Sequence, residues 1–153
     1  MTRPAPAAVQ TMVKVAEELA EARDAWWVFG GAAVALHSLP IEIADIDVLM
    51  SARDIVELGS RLGIAADRDT PVDRIRSDIW LPWKAWPLCV DFTAGLQVRA
   101  EEGWIAIAPG TREAVQVEGR TLYVPSRAEL IEILRLFGRP KDLARAEALT
   151  RLT

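Results

Sequence analysis

The chain carries Trp26-Trp27-Val28-Phe29-Gly30-Gly31-Ala32-Ala33-Val34-Ala35-Leu36-His37, followed a few residues on by Ile43-Ala44-Asp45-Ile46-Asp47-Val48-Leu49-Met50. The first four of these residues are aromatic or β-branched and stop abruptly at two glycines, the pattern of a short buried strand entering a tight turn. Ala32 to Leu39 reads as a compact helix stopped by Pro40, and Ile43 to Met50 as a second strand. Alternate side chains of a strand share a face, so Asp45 and Asp47 project together while Ile46 and Val48 turn away. Neither aspartate has a cationic neighbour in sequence. A divalent cation that takes oxygen ligands, Mg²⁺ or Mn²⁺, would remove the repulsion between them.

A third carboxylate, Asp91, sits among Leu88, Val90 and Phe92 in another alternating, strand-like run. If its strand lies beside that of Asp45, the three carboxylates converge, as metal-assisted phosphoryl chemistry needs them to. Asp91 would then be a metal ligand, a general base, or both. Gly30 and Gly31 supply the complement, because backbone without side chains approaches a phosphate closely and the N–H groups opening the next helix attract anions.

The surrounding chain supplies a frame for these strands. Two prolines in Thr2-Arg3-Pro4-Ala5-Pro6 predict an irregular lead-in over residues 1–8. Val9, Met12, Val13, Ala16, Leu19 and Ala20 then mark one face of a helix that ends near Arg23-Asp24. Ser51, with Asp54 three residues on, is a helix start, and Gly63 closes that helix. Residues 74–81 alternate as one strand, pairing as a hairpin with the Asp91 strand across Pro82 to Pro87. Trp104 to Ala108 is a further strand. Val115 to Val117 and Thr121 to Val124 form a second hairpin across Glu118-Gly119-Arg120. Ser126 with Glu129 opens a helix ending at Gly138, and Pro140 opens the last one. The expected fold class is α/β (α+β), with a mixed, mostly antiparallel central sheet flanked by helices. The expected organisation is a single domain over residues 1–153 that closes on a helical pair at 126–153.

The order strand, Gly-Gly, helix, Asp-x-Asp strand, together with Val90-Asp91-Phe92, resembles the signature of the DNA polymerase β-like nucleotidyltransferase superfamily. It is most similar to the small bacterial abortive-infection (AbiEii-like) toxin and antibiotic nucleotidyltransferase branch. Val124-Pro125-Ser126, Glu129-Leu130-Ile131 and Gly138-Arg139-Pro140-Lys141-Asp142-Leu143 resemble that branch's closing helices, so the likeness runs from about Trp26 to Leu149. It implies a nucleotidyltransferase fold and transfer of a nucleoside monophosphate from an NTP such as ATP to a hydroxyl acceptor: RNA, protein, or a small molecule such as an antibiotic. It further implies Asp45, Asp47 and Asp91 as catalytic metal ligands for Mg²⁺ (or Mn²⁺), and Gly30 and Gly31 at the nucleotide. Where the branch often has Arg and Thr ahead of the first aspartate, this chain has Ile41, Glu42 and Ile43. Leu134 and Arg135 occupy the region where a lysine often precedes the Gly-Arg turn. These departures open the alternative of a catalytically degenerate binding or regulatory subunit. For the transferase the likeness implies a toxin-like (toxin-antitoxin) role, and a homodimer or a cognate protein partner is expected.

The remaining features bound the function. With 153 residues and 51% hydrophobic content the chain is long enough to bury a core, and its net charge of -4 gives no global attraction to nucleic acid or anionic lipid. Arg135, Arg139, Lys141, Arg145 and Arg151 form one basic run, which reads as a solvated helix face; Arg139 and Lys141 are its candidates to reach nucleotide phosphates. Cys89 is the only cysteine, which excludes an internal disulfide and fits a reducing compartment. No apolar run spans a bilayer and Met1 to Val9 lacks a signal-peptide pattern, so the expected place is the cytoplasm without membrane contact. His37 reads as a packed imidazole. Trp80, Trp83 and Trp86 read as packing or interface residues, with acceptor stacking as the other reading.

Overall fold

The computed structural model describes residues 4–66 and 74–152. Met1, Thr2 and Arg3 of the expected lead-in lie outside these residues. Helix α1 (Pro6–Glu18) starts earlier than the lead-in over 1–8 allowed, because Pro6 occupies the first turn, where no N–H is needed. It also ends well before Arg23-Asp24. The backbone N–H groups of Arg23 and Asp24 donate to the Asp54 carboxylate at 3.1 and 2.9 Å, which pins the chain off the helix axis.

The chain then runs through β1 (Trp27–Phe29), α2 (Gly30–Leu36), β2 (Asp45–Leu49), α3 (Ala52–Leu62), β3 (Ile75–Arg76), β4 (Ile79–Trp83) and β5 (Cys89–Ala94). The main sheet has the order β1-β2-β5-β4. Only β2 and β5 run parallel; the β1-β2 and β4-β5 pairs are antiparallel. One face of this sheet is apolar: Val28, Ile46, Val48, Val90, Phe92 and Leu81 are fully buried against Met12 and Val15 of α1 and Ile55 and Leu58 of α3.

The expected single strand over 74–81 is two. Ile75–Arg76 pairs with β6 (Gln97–Ala100), which in turn pairs with β7 (Gly103–Ala106), whereas Ile79–Trp83 stays with β5. Both segments turn this corner together. Gly95 takes a left-handed φ of +69°, and a Cβ there would sit 2.1 Å from Asp78 Oδ2. Strand β6 has no counterpart in the sequence reading, since Gln97 and Arg99 leave Val98 as its single strongly apolar residue.

Strands β8 (Glu113–Val117) and β9 (Arg120–Val124) form the expected second hairpin. Helices α4 (Arg127–Phe137) and α5 (Pro140–Thr150) close the fold. Ser126 Oγ caps α4 by accepting from Glu129 N at 3.2 Å. The Glu129 carboxylate does not complete a capping box: it accepts from the backbone N–H groups of Gly110 and Thr111, each at 2.8 Å, and ties the β7-to-β8 connection to the helix.

A second apolar cluster joins Phe29 and Leu49 to Leu96, Val98, Ile107, Ile133 and Phe137. Leu49 shares its strand face with Asp45 and Asp47. Helix α4 therefore covers that face at the Leu49 end, and the aspartate end stays open. The architecture is the expected α+β class with mixed, mostly antiparallel sheets.

Candidate active site

The parallel register of β2 and β5 sets Asp45 opposite Cys89 and Asp47 opposite Asp91. Side chains at i and i+2 share a face, so all three aspartates rise from one side of two adjacent strands. Each offers one carboxylate oxygen, and these oxygens lie within 4.8 Å of one another. Asp45 is exposed, while Asp47 and Asp91 are half-buried. Burial first, then the charges of Asp45 and Asp91, pushes the Asp47 carboxyl up from 3.8 to about 7, against the opposing pull of Arg139 and Lys141. A bound cation would favour the ionised form of this group and draw its proton off at lower pH. Hard oxygen donors this close fit a single small divalent ion, which holds its oxygens at about 2.1 Å.

Asp91 has a further partner that sequence could not specify. Trp80 of β4 stands opposite Thr93, and its indole Nε1–H donates to Asp91 Oδ1 at 2.9 Å. The Cys89 thiol reaches the same oxygen at 3.9 Å, and burial, then the Asp91 charge, raises its pKa.

The Gly-Gly turn abuts the triad directly. Gly30 adopts φ +64°, and a Cβ there would lie 3.0 Å from Asp47 Oδ2. Helix α2 begins at Gly30 and stops before Pro40, because Ser38 enters the left-handed region at φ 75°. A Cβ on Gly31 would meet the Arg145 guanidinium, with Nη1 at 3.2 Å and Nη2 at 3.3 Å. Arg145 is half-buried and no carboxylate pairs with it among the described residues. Its place beside the glycines was missed at the sequence level, although it lies four residues after Lys141 and so on the same face of α5.

One cavity of about 370 Å³ takes in all of these groups: Gly30, Gly31, the three aspartates, Trp80, Arg139, Lys141 and Arg145. Glu42 and Ile43 also line it. Arg139 is only partly available, because its Nε and Nη2 donate to the buried Asp142 carboxylate at 2.6 and 3.2 Å. The basic run thus divides: Arg139, Lys141 and Arg145 line the cavity, with Arg139 held by Asp142, while Arg135 is exposed and Arg151 pairs with Glu147 at 2.6 Å on the surface.

His37 lies outside the cavity, its Nε2–H donating to Pro125 O at 2.8 Å. The three tryptophans separate likewise. Trp83 is a core residue packed on Phe92 and Trp86, Lys14 stacks over Trp86, and Trp80 alone of the three lines the cavity.

No protein-family model matches the chain, and no curated protein matches it. Solved structures do. A Thermotoga maritima protein described as a candidate nucleotidyltransferase is 20% identical, with a TM-score of 0.74 over 97% of this chain and 94% of that one. The lincosamide antibiotic adenylyltransferase LnuA, bound to lincomycin, is 14% identical, with a TM-score of 0.56 over 99% of this chain and 100% of that one. The enzyme ANT(2")-Ia in complex with adenylyl-2"-tobramycin is 15% identical, with a TM-score of 0.58 over 92% and 86% of the two chains. The chain therefore has the nucleotidyltransferase fold.

Proposed function

We propose that this protein transfers a nucleoside monophosphate from an NTP to a hydroxyl acceptor, with Asp45, Asp47 and Asp91 holding Mg²⁺ or Mn²⁺. The observation that carries this reading is one cavity in which three carboxylates face a Gly-Gly turn and the cations of α5. Anionic and cationic walls of one cavity suit a metal-bound triphosphate. The structures it resembles include a lincosamide antibiotic adenylyltransferase and a protein bound to adenylyl-2"-tobramycin, which supports the same chemistry.

In this reading each residue has one task. Asp45 and Asp47 hold the ion, which when bound neutralises phosphate charge and orients the reacting groups. Gly30 and Gly31 let the triphosphate approach the backbone, and Lys141 and Arg145 bind its oxygens. Asp91 keeps one oxygen on the Trp80 N–H; the other completes the ligand set or takes the proton of the attacking hydroxyl.

The acceptor is a small molecule in this proposal rather than RNA. Arg139, Lys141 and Arg145 line the cavity itself and Arg151 pairs with Glu147 on the surface, a placement that suits a nucleotide in the cavity more than a long phosphate backbone. LnuA is bound to lincomycin and ANT(2")-Ia to adenylyl-2"-tobramycin, consistent with this choice. A toxin-like role rests on the sequence likeness, and a dimeric assembly and a cytoplasmic location are parts of the proposal that rest on the sequence reading alone; among the described residues no helix is long and apolar enough to cross a membrane.

A second reading has one observation in its favour. Ile43 lines the cavity where the branch it resembles often carries a polar side chain, as expected of a member that binds nucleotide without turnover. Incubation with labelled ATP, GTP, CTP or UTP, Mg²⁺ or Mn²⁺, and panels of antibiotics or total RNA separates the two. Labelled small-molecule product establishes the transferase; nucleotide binding by calorimetry with no product from any acceptor establishes the binding protein. Unchanged nucleotide binding by Asp47→Ala would refute the metal assignment.

A further inference from the structure

We infer that Trp80 is a positioning residue, whose indole N–H holds the Asp91 carboxylate in the orientation that meets Asp45 and Asp47. The inference deepens the reading above and rests on it for the use to which the aligned carboxylate is put.

Asp91 occupies a strand flanked on both sides. From β2 it faces Asp47, a like charge. From β4 the residue directly opposite is Pro82, which has no N–H and no polar side chain. Left to these neighbours, the carboxylate would rotate away from the two other aspartates, since like charges at this distance repel and χ rotation is the cheapest escape.

Trp80 supplies the opposing force. It sits two residues before Pro82 on the same face, and its Nε1–H donates to Oδ1 at 2.9 Å. No cation pairs with Asp91 among the described residues, and the Cys89 thiol, 3.9 Å from the same oxygen, is a weak donor. The indole is thus the one strong donor to this carboxylate among the described residues. A charge-assisted hydrogen bond of this kind is about twice as strong as a neutral one. By occupying Oδ1 it leaves the other oxygen for the cation. Trp27, in contrast, gives its N–H to Thr111 O at 2.8 Å, away from the triad.

The test uses Mn²⁺ as the probe, with free ion counted by electron paramagnetic resonance. Trp80→Phe keeps the ring and removes the donor, and should weaken Mn²⁺ binding about tenfold, the worth of one hydrogen bond to a charged group. In an Asp91→Asn background the same change should have no further effect, because Trp80 acts only through Asp91. Equal affinity for Trp80→Phe and the natural protein, or an undiminished loss in the Asp91→Asn background, would overturn the inference while leaving the proposed function standing. A natural protein that binds no Mn²⁺ overturns both. A second measurement does not depend on Trp80→Phe folding. In ¹H–¹⁵N spectra of the natural protein, the Trp80 indole resonance should move on saturation with Mg²⁺ and on Asp91→Asn substitution, while that of Trp27 stays in place. A Trp80 resonance indifferent to both changes would also count against the assignment.

Discussion

Asp47 and Asp91 stand directly opposite one another on the parallel strands β2 and β5, two acids in register. The arrangement works against the stability of the ion-free protein, because each carboxylate raises the cost of ionising the other. That cost marks the place where a ligand is expected, and it makes the protein sensitive there to pH, to metal and to side-chain replacement.

The first expectation concerns pH. Asp47 titrates near 7 in the folded protein against 3.8 as the ordinary value. Its raised value means the folded state binds the proton more tightly. The associated stability is complete below about pH 4 and is lost as pH rises through 7. Asp47→Asn should therefore stabilise the ion-free protein at pH 8 by about 2–4 kcal/mol, the upper end being the full difference between 3.8 and about 7, with little effect at pH 4. Chemical denaturation at the two pH values checks this, and an equal effect at both would contradict it. Mg²⁺ affinity should climb between pH 5 and 7, where the ion displaces that proton, and level off above.

The glycine turn provides the second. Gly30→Ala forces a side chain into φ +64° and to 3.0 Å from Asp47 Oδ2. A loss of roughly 1–2 kcal/mol in stability is expected from the left-handed backbone, together with weaker metal binding. Gly31→Ala meets only the flexible end of Arg145. It should leave thermal stability nearly unchanged and lower NTP affinity, as thermal melts and calorimetry on the same samples would show.

Arg145 is the third. It is half-buried with no carboxylate partner among the described residues, so its removal strands no buried charge. Arg145→Met should change stability by no more than about 0.5 kcal/mol and weaken NTP binding by about tenfold or more. Arg151→Met is the control, because Arg151 pairs with Glu147 on the surface. Equal nucleotide affinity in both variants would remove Arg145 from the site.

Asp142 is the fourth. At 1% exposure, it accepts from the Arg139 backbone N–H at 3.3 Å and from that side chain's Nε and Nη2. Asp142→Ala removes an acid from the first turn of α5 and frees Arg139, at a cost of about 1–3 kcal/mol. Nucleotide binding should fall with stability, since Lys141 and Arg145 ride on the same helix. Unaltered stability by denaturant titration would show the clamp to be incidental.

Much of this site was legible from local pattern. Asp45 and Asp47 alternate with Ile46 and Val48, and a strand permits one assignment of faces, with the apolar pair inside. The capping serines at 51 and 126 act within three residues of themselves, so their role needed no tertiary information. Positions whose partners lie far along the chain were less readable. The strand over 74–81 alternated correctly yet broke at Ser77-Asp78, because Gly95, in a different segment, makes room for Asp78 at a shared corner. Glu129 carried the spacing of a capping box and instead spends its carboxylate on Gly110 and Thr111.

By itself the sequence determined most of the elements, β6 and the break at Ser77-Asp78 excepted, the faces of the β2 and β5 strands, and the three acids as candidates, since these follow from periodicity two or three residues at a time. Tertiary structure decided that Asp91 lies opposite Asp47, that Trp80 holds its carboxylate, and that Arg145 comes to rest on Gly31. Those are meetings between residues far apart in the chain. They depend on how strands align and where α5 docks, which packing of the whole core sets and no local window contains.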